Sequence, residues 1–280
     1  MIHIHDDVIE RIIREDVPSL DLTTWTLGLT DRPGSLTYTT REDLVVCGTE
    51  EAVRICDRLG VSATGPASGT RLDAGSTVLA ATGDVAALHQ AWRVCLKLLE
   101  GCSGIATRTA RLVDRVRSVA AEVEVLTTRK HFPGAQDLVV KAVAVGGALP
   151  HRLGLSETVL IFEQHWVFYG GVEGLLPHLP AVRRRVPDKK LLVEVTTLDD
   201  ALAVAGAGAD GIQFDKTPPE DLREWVPRLR AERPELVLLA AGGIGGHNAE
   251  AYAGTGVDGL VTSWVYFGPP ADLRTRITPS

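Results

Sequence analysis

The stretch Thr127–Arg152, TTRKHFPGAQDLVVKAVAVGGALPHR, gathers Arg129, Lys130, Lys141, His151 and Arg152 around a Pro-Gly turn and a Gly-Gly pair. The chain around it is acidic, with a formal net charge of −7. Cations concentrated in an acidic chain suit a pocket for an anionic small molecule. The arginine fork bonds two oxygens of a phosphate or carboxylate at once, lysine adds a compact charge, and glycine lets backbone amides approach. A solvated helix face with scattered charges is the competing reading of the same residues. Downstream, Glu194 in LLVEV and Asp215 in GIQFD close short apolar runs, and Gly242 and Gly243 follow LVLLAA. A carboxylate there is expensive to bury unless it is paired or liganded. No Ser or Cys with a His and acid partner stands out as a nucleophile.

The elements that must position these residues change character along the chain. DDVIERIIRE reads as a helix with Asp6 as its cap, ended by Pro18. Gly34–Cys47 alternates and is rich in β-branched residues, as a strand would be. TEEAVRICDRL is a short helix capped by Thr49, and the glycine-punctuated residues 61–85 predict a small sheet with tight turns. A helical pattern follows from Val85 to Leu99. Beyond Ser103 a second helix, TRTARLVDRVRSVAAE, opens a repeating rhythm of short apolar strands and helices: VEVLTTR, LLVEVTT, GIQFD, LVLLAAGG and DGLVTSW. That alternation predicts a parallel sheet with crossover helices, with Arg129, Glu194, Asp215, Gly242 and Gly243 on the rim where barrels place chemistry. A doubly wound sheet shows the same alternation, but no GxGxxG turn follows a first strand, so a barrel is favoured. The basic run RRRVPDKK at 183–190 reads as a solvated loop.

Bulk composition narrows the function. The 280 residues, 45% hydrophobic and 23% charged, suffice for one large α/β domain or two sharing a core. Aromatics are sparse, at 5%, and the pI is about 5.6, so neither base stacking nor phosphate-backbone binding is favoured and no nucleic-acid partner is expected. No apolar run approaches the roughly 20 residues that span a bilayer. The start, MIHIHDDVIERII, lacks a basic and an apolar signal region, so no membrane partner and a cytoplasmic location are expected. Cys47, Cys56, Cys95 and Cys102 form no CxxC pair and are expected to be reduced and buried, with Cys95 and Cys102 on one helix face. His3 and His5 lack a third ligand nearby, and their spacing is taken as chance.

In order, REDVPSLDLTT, Arg93 ahead of SGIAT, TRKHFPG, Lys141, GGALPHRLGL, LIFEQH, VEV, QFD, AAGGI and TGVDGLVTS make a set. The set resembles the quinolinate phosphoribosyltransferase family (nicotinate-nucleotide pyrophosphorylase, carboxylating) over nearly the whole chain. GVDGLVTSWVYFGPPADLR and REDLVVCGTEEA look nearest to its pyrophosphorylase-like ModD branch. The resemblance implies an α/β protein with an N-terminal α/β sandwich over residues 1–103 and an open (β/α) barrel over 104–280, whose C-terminal tail returns to the first domain. It implies a pentosyltransferase that joins phosphoribosyl pyrophosphate to quinolinate or another small ring carboxylic acid with Mg²⁺ present. It also implies a homodimer with a shared active site.

Residue by residue, the resemblance makes Arg93 the cation that reaches across the dimer to a substrate carboxylate. Arg129, His151 and Arg152 line the acid pocket, with Lys141 in the same substrate-binding set. Lys130 faces the pyrophosphate or phosphate. Glu194 and Asp215 sit beneath the ribose, act in catalysis and hold the metal, and Gly242 and Gly243 receive the 5′-phosphate. The chain departs from the family pattern at Phe162, where lysine is usual, at Ala241 for serine, Ser263 for glycine, Lys97 for asparagine and Trp92 for glutamate. Phe162 removes a cation and adds an apolar face to the substrate site, and Lys97 is a candidate to restore the charge. The competing class of function is a non-catalytic anion-binding protein for molybdate handling. Glu194 and Asp215 argue for the enzyme, because an oxyanion binder gains nothing from carboxylates. A barrel aldolase or isomerase would need a Schiff-base lysine, for which Lys130 is the candidate.

Overall fold

The structure is a computed structural model and describes residues 2–280. The chain divides into two compact units: residues 1–110, 132–147 and 268–280 form the first, and residues 111–131 and 148–267 the second.

Unit one combines a four-stranded sheet, a separate two-stranded pair and helices. Strand β1 (Pro33–Thr40) buries alternate residues, so Leu36 and Tyr38 enter the core. The expected strand 34–47 stops at Thr40 and resumes only as β2 (Leu44–Val45). Strand β3 (Ser62–Thr64) follows the helix Thr49–Arg58, β4 (Arg71–Leu72) pairs with β2, and β5 (Thr77–Asp84) lies antiparallel between β1 and β3. The C-terminal segment Leu273–Pro279 completes the sheet against the other edge of β1, from Gly34↔Pro279 to Thr40↔Leu273. Ile9, Leu36, Ile55, Leu79, Leu88 and Leu99 are fully buried, each worth roughly 1.5–3 kcal/mol of burial. The Tyr38 hydroxyl donates to the Trp92 carbonyl at 2.8 Å.

Three local expectations are revised. The helices expected on either side of Ser103 are one 35-residue helix, Val85–Val119. Gly104 does not break it; a Cβ there would lie 2.9 Å from the Ala271 amide nitrogen, so glycine admits the C-terminal strand's approach. Gly48, left-handed at φ 96°, precedes the helix at Thr49, whose own hydroxyl caps nothing. The helix Gln136–Val145, expected in the barrel half, belongs to unit one because Ala142 is fully buried in that core. All four cysteines are free and buried.

Unit two is the barrel half. Strands β6 (Glu124–Thr127), β7 (Leu149–Pro150), β8 (Val159–Ile161), β9 (Leu191–Val195), β10 (Gly211–Asp215), β11 (Val237–Ala241) and β12 (Gly259–Thr262) form one parallel sheet. Its order is β7-β6-β12-β11-β10-β9-β8, so the barrel is open between β7 and β8. Helices Leu198–Gly206 and Pro219–Glu232 are the crossovers flanking β10. β9 to β12 are short, almost wholly buried apolar runs, as strands covered on both faces must be. Their parallel direction brings all seven C-terminal ends to one rim. The arginines expected in a loop at 183–190 instead end the helix Leu179–Arg185, where Arg183 is paired with Asp210.

Candidate active site

The strand ends of unit two open onto a cavity of about 860 Å³. β6 runs into Arg129 and Lys130, β7 into His151 and Arg152, and β8 into Phe162. β9 supplies Glu194, β10 ends on Asp215, β11 leads from Ala241 into Gly242 and Gly243, and β12 leads into Ser263. All eleven of these residues line the cavity. Three other cations do not. Lys141 is buried in unit one, its Nζ 2.8 Å from Glu50 Oε2 and 2.5 Å from Glu51 Oε2. Burial works to lower its pKa, but the two carboxylates outweigh that and leave it raised and charged. Its expected place with the substrate cations is therefore corrected to a structural ion cluster. Lys97, the candidate to restore the charge missing at Phe162, does not line this cavity, and its Nζ lies 2.6 Å from Asp16 Oδ1. Arg93 is an exposed residue of unit one, its guanidinium 5.0 Å from the centre of the Trp92 ring.

The cavity has two electrostatic ends. At one, Arg129 and Arg152 repel: burial and then Arg129 lower the Arg152 pKa. Burial, then Arg152, holds His151 below its ordinary value, so its ring is neutral at pH 7. The Arg152 guanidinium lies 5.8 Å from the centre of the Phe162 ring, and that ring stacks on His165. His165 Nδ1 accepts the Phe162 amide at 3.0 Å, so this residue of the short helix Glu163–Trp166 reaches back to satisfy the N-cap amide. At the other end Glu194 and Asp215 stand on adjacent strands. Burial raises the Glu194 pKa, and Asp215 raises it further. A hydrogen bond from Gln213, together with the charges of Lys130 and Lys216, works the other way.

Lys216, Gln213, Thr128 and Trp264 also line the cavity and were not anticipated from the sequence. Gln213 was legible, because it points the same way as Asp215 two residues on in the same strand. Its Nε2 donates to Glu194 Oε2 at 2.6 Å, while its buried Oε1 has no partner. Thr128 and Ser263 hydroxyls meet at 2.7 Å and tie the β6 and β12 ends together. That bond gives the departure to serine at 263 a structural use.

Gly242 and Gly243 both have positive φ, 88° and 73°. A Cβ on Gly242 would meet Lys216 Cγ at 2.5 Å and Asp215 Oδ1 at 2.7 Å, so the β10 and β11 rims touch there and only glycine fits. Such a turn lets backbone amides close on an anion. Asn248 braces it by accepting the Gly245 amide at 2.9 Å and donating to the Gly243 carbonyl at 3.2 Å. Arg115 adds a bond to the Gly246 carbonyl. The Trp264 ring packs so closely on Gly245 that a Cβ would come within 2.7 Å of it.

Family models match both parts of the chain. Residues 105–274 match the C-terminal domain of quinolinate phosphoribosyl transferase, and residues 21–103 match its N-terminal domain. The chain belongs to the quinolinate phosphoribosyltransferase family. It is thus a pentosyltransferase by descent, and its mixed α/β architecture with an open barrel half is that of the family. A Rhodobacter capsulatus relative named "Putative pyrophosphorylase ModD" is 42% identical over 250 residues, covering 89% of this chain and 96% of that protein. A nicotinate-nucleotide pyrophosphorylase (carboxylating) of Mycobacterium leprae is 34% identical over 260 residues, covering 91% of this chain and 90% of that one. Among solved structures, the nicotinate-nucleotide pyrophosphorylase of Francisella tularensis superposes with a TM-score of 0.88 at 26% identity, over 99% of this chain and 98% of that one. Among the described residues of this transferase-family chain, no helix is long and apolar enough to cross a membrane.

Proposed function

We propose that this chain transfers the phosphoribosyl group of phosphoribosyl pyrophosphate to the ring nitrogen of an aromatic or heteroaromatic carboxylic acid, quinolinate or an analogue, and releases pyrophosphate. The observation that carries the reading is the split of one cavity into a carboxylate floor beside a glycine turn and an arginine-aromatic end.

As the bond from ribose C1 to the pyrophosphate oxygen breaks, positive charge develops on the sugar. Glu194 and Asp215 stabilise that charge from below, and Lys130 accepts the growing negative charge of pyrophosphate. Gly242 and Gly243 hold the 5′-phosphate. Arg129 and Arg152 orient the acceptor's carboxylate, and Phe162 offers its face to the ring. The ring nitrogen then forms the new bond to C1. Where the acceptor carries a carboxylate beside that nitrogen, its loss as carbon dioxide leaves the electron pair on the ring carbon, where the adjacent cationic nitrogen stabilises it until that carbon takes a proton from water. The protein's contribution is orientation and charge placement.

Mg²⁺ fits the donor end. Among the described residues no cluster of three or more His, Cys, Asp or Glu could hold an ion alone. Mg²⁺ is commonly held by one or two carboxylates with substrate phosphates, and Glu194 and Asp215 supply that pair. When bound, the ion would neutralise phosphate charge. The reading includes a homodimer in which Arg93 of one protomer enters the partner's cavity, and its support is Arg93's exposure outside its own cavity. It includes a cytoplasmic site of action, supported by four free buried thiols, which suit a reducing compartment.

Calorimetric titration with phosphoribosyl pyrophosphate and Mg²⁺, followed by a panel of ring acids, tests the proposal. Donor binding and pyrophosphate release with at least one ring acid are expected. Absence of donor binding would sink the transferase reading and leave the accessory role in molybdate handling, whose probe is molybdate itself.

A further inference from the structure

Lys216 departs from what its position needs structurally. It is one of two non-glycine residues with positive φ among the described residues, at 55°; the other, Asp31, lies in an exposed bend. Lysine has no local side-chain bond to ease the left-handed form, whereas Asn and Asp do. The Lys216 amide donates to the Ala241 carbonyl at 2.8 Å, which fixes the residue between the β10 end and the glycine turn. Gly242 gives way to it: the space its Cβ would fill is occupied by the Lys216 stem.

The strain is not explained by an ion pair. Lys216 Nζ is 3.7 Å from Asp215 Oδ2, and its side chain is 79% exposed. A pair so loose and wet contributes little. Nor does the side chain fill a core. It lines the same cavity as Asp215 and Glu194, and its charge acts on Glu194. Strained backbone that is not repaid locally points to function at that residue.

We propose that Lys216 is a phosphate-binding residue of the donor half, held over the carboxylate floor so that its ammonium meets phosphate oxygens of phosphoribosyl pyrophosphate. The inference rests on the donor assigned above. The left-handed backbone aims the stem along Gly242 and into the cavity; an extended conformation would send it elsewhere. Lys130 approaches the same carboxylates from the β6 end, so the two lysines bracket the donor from separate strands. Donor phosphates then meet fixed positive charge before any divalent ion is counted, and the site retains donor affinity when metal is scarce.

The test compares wild type with Lys216→Asn, which tolerates left-handed backbone and carries no charge, and Lys216→Arg, which keeps the charge. Phosphoribosyl pyrophosphate, pyrophosphate and ribose 5-phosphate are titrated separately, in Mg²⁺ and in EDTA, and melting temperatures are recorded. Lys216→Asn is expected to bind the donor at least tenfold more weakly, with a larger deficit in EDTA, while its melting temperature stays level or rises. Lys216→Arg is expected within threefold of wild type. Loss confined to pyrophosphate assigns the lysine to the leaving group, and loss confined to ribose 5-phosphate assigns it to the 5′ end. Donor affinity within twofold of wild type in both buffers overturns the inference. So does a weakened donor site accompanied by a lowered melting temperature, which marks a structural role. A wild type that binds no donor under any condition overturns the transferase reading itself, a result distinct from either.

Discussion

Replacing Lys141 by methionine separates a structural lysine from a substrate lysine. Its side chain is 3% exposed and that of Glu51 is 4% exposed, with 2.5 Å between Nζ and Oε2. Methionine fills similar space but leaves Glu51 charged and uncompensated in the core. Breaking a buried pair in this way costs about 3–5 kcal/mol. At roughly 2–4 °C per kcal/mol for a domain of this size, the melting temperature should fall by roughly 6–20 °C. The pH dependence should also change sign. In the wild type burial raises the Glu50 pKa, but the bonds from Lys141 and Ser68 outweigh it and hold Glu50 at about 2 against an ordinary 4.5. Its stabilising contribution is present above pH 4.5 and is lost as pH falls toward 2. The variant removes from Glu50 the Lys141 bond that opposed its burial and leaves it beside a second carboxylate with no cation, so the Glu50 pKa rises. The variant's stability should then decline as pH climbs from about 5 to 7, and the gap to wild type should widen. Adding Glu51→Gln should recover at least half the loss. Thermal melts across pH, with donor titration alongside, read all of this. A melting temperature within about 2 °C of wild type combined with weakened donor binding would refute the reasoning and return Lys141 to the substrate site.

Three further outcomes follow from the cavity. Gly242→Ala places a methyl against Lys216 and Asp215 and forces a left-handed alanine, about 2–5 kcal/mol in all; urea melts should show the loss and titration should show weakened donor binding. Phe162→Lys exchanges a cation–π contact for a charged hydrogen bond to a carboxylate, a gain of roughly 1–2 kcal/mol, so kcat/KM for quinolinate should rise about five- to thirtyfold; no gain would remove Phe162 from the acceptor end. His151 is held low by burial and by Arg152, so its proton NMR titration should fall below 6.5 and move upward in Arg152→Gln.

The barrel was legible because its strands are continuous apolar runs. GIQFD matches β10 residue for residue, and the polar residue closing such a run has to face the rim. Arg129, Glu194, Asp215, Gly242 and Gly243 were placed on the rim through that rule, while the places of Lys130, His151, Arg152, Phe162, Ala241 and Ser263 in the site came from the family resemblance. Lys141 was misplaced because it was grouped with cations near it in sequence, while its partners Glu50 and Glu51 lie about ninety residues away, a separation no local pattern reports. Lys216 was missed for a different reason. Nothing in QFDK announces a left-handed backbone, and a lysine beside an aspartate reads as a surface pair. The single long helix was hidden because Ser103 and Gly104 look like a break; only the approach of residues 270–271 explains the glycine.

The pairing of Leu273–Pro279 with β1 bears on biosynthesis. The unit begun first on the ribosome is finished last: every barrel strand has emerged before the edge of β1 finds its mate. Until then that edge is open to stray strands. A released chain truncated after residue 267 should hold a protected barrel and a protease-sensitive first unit.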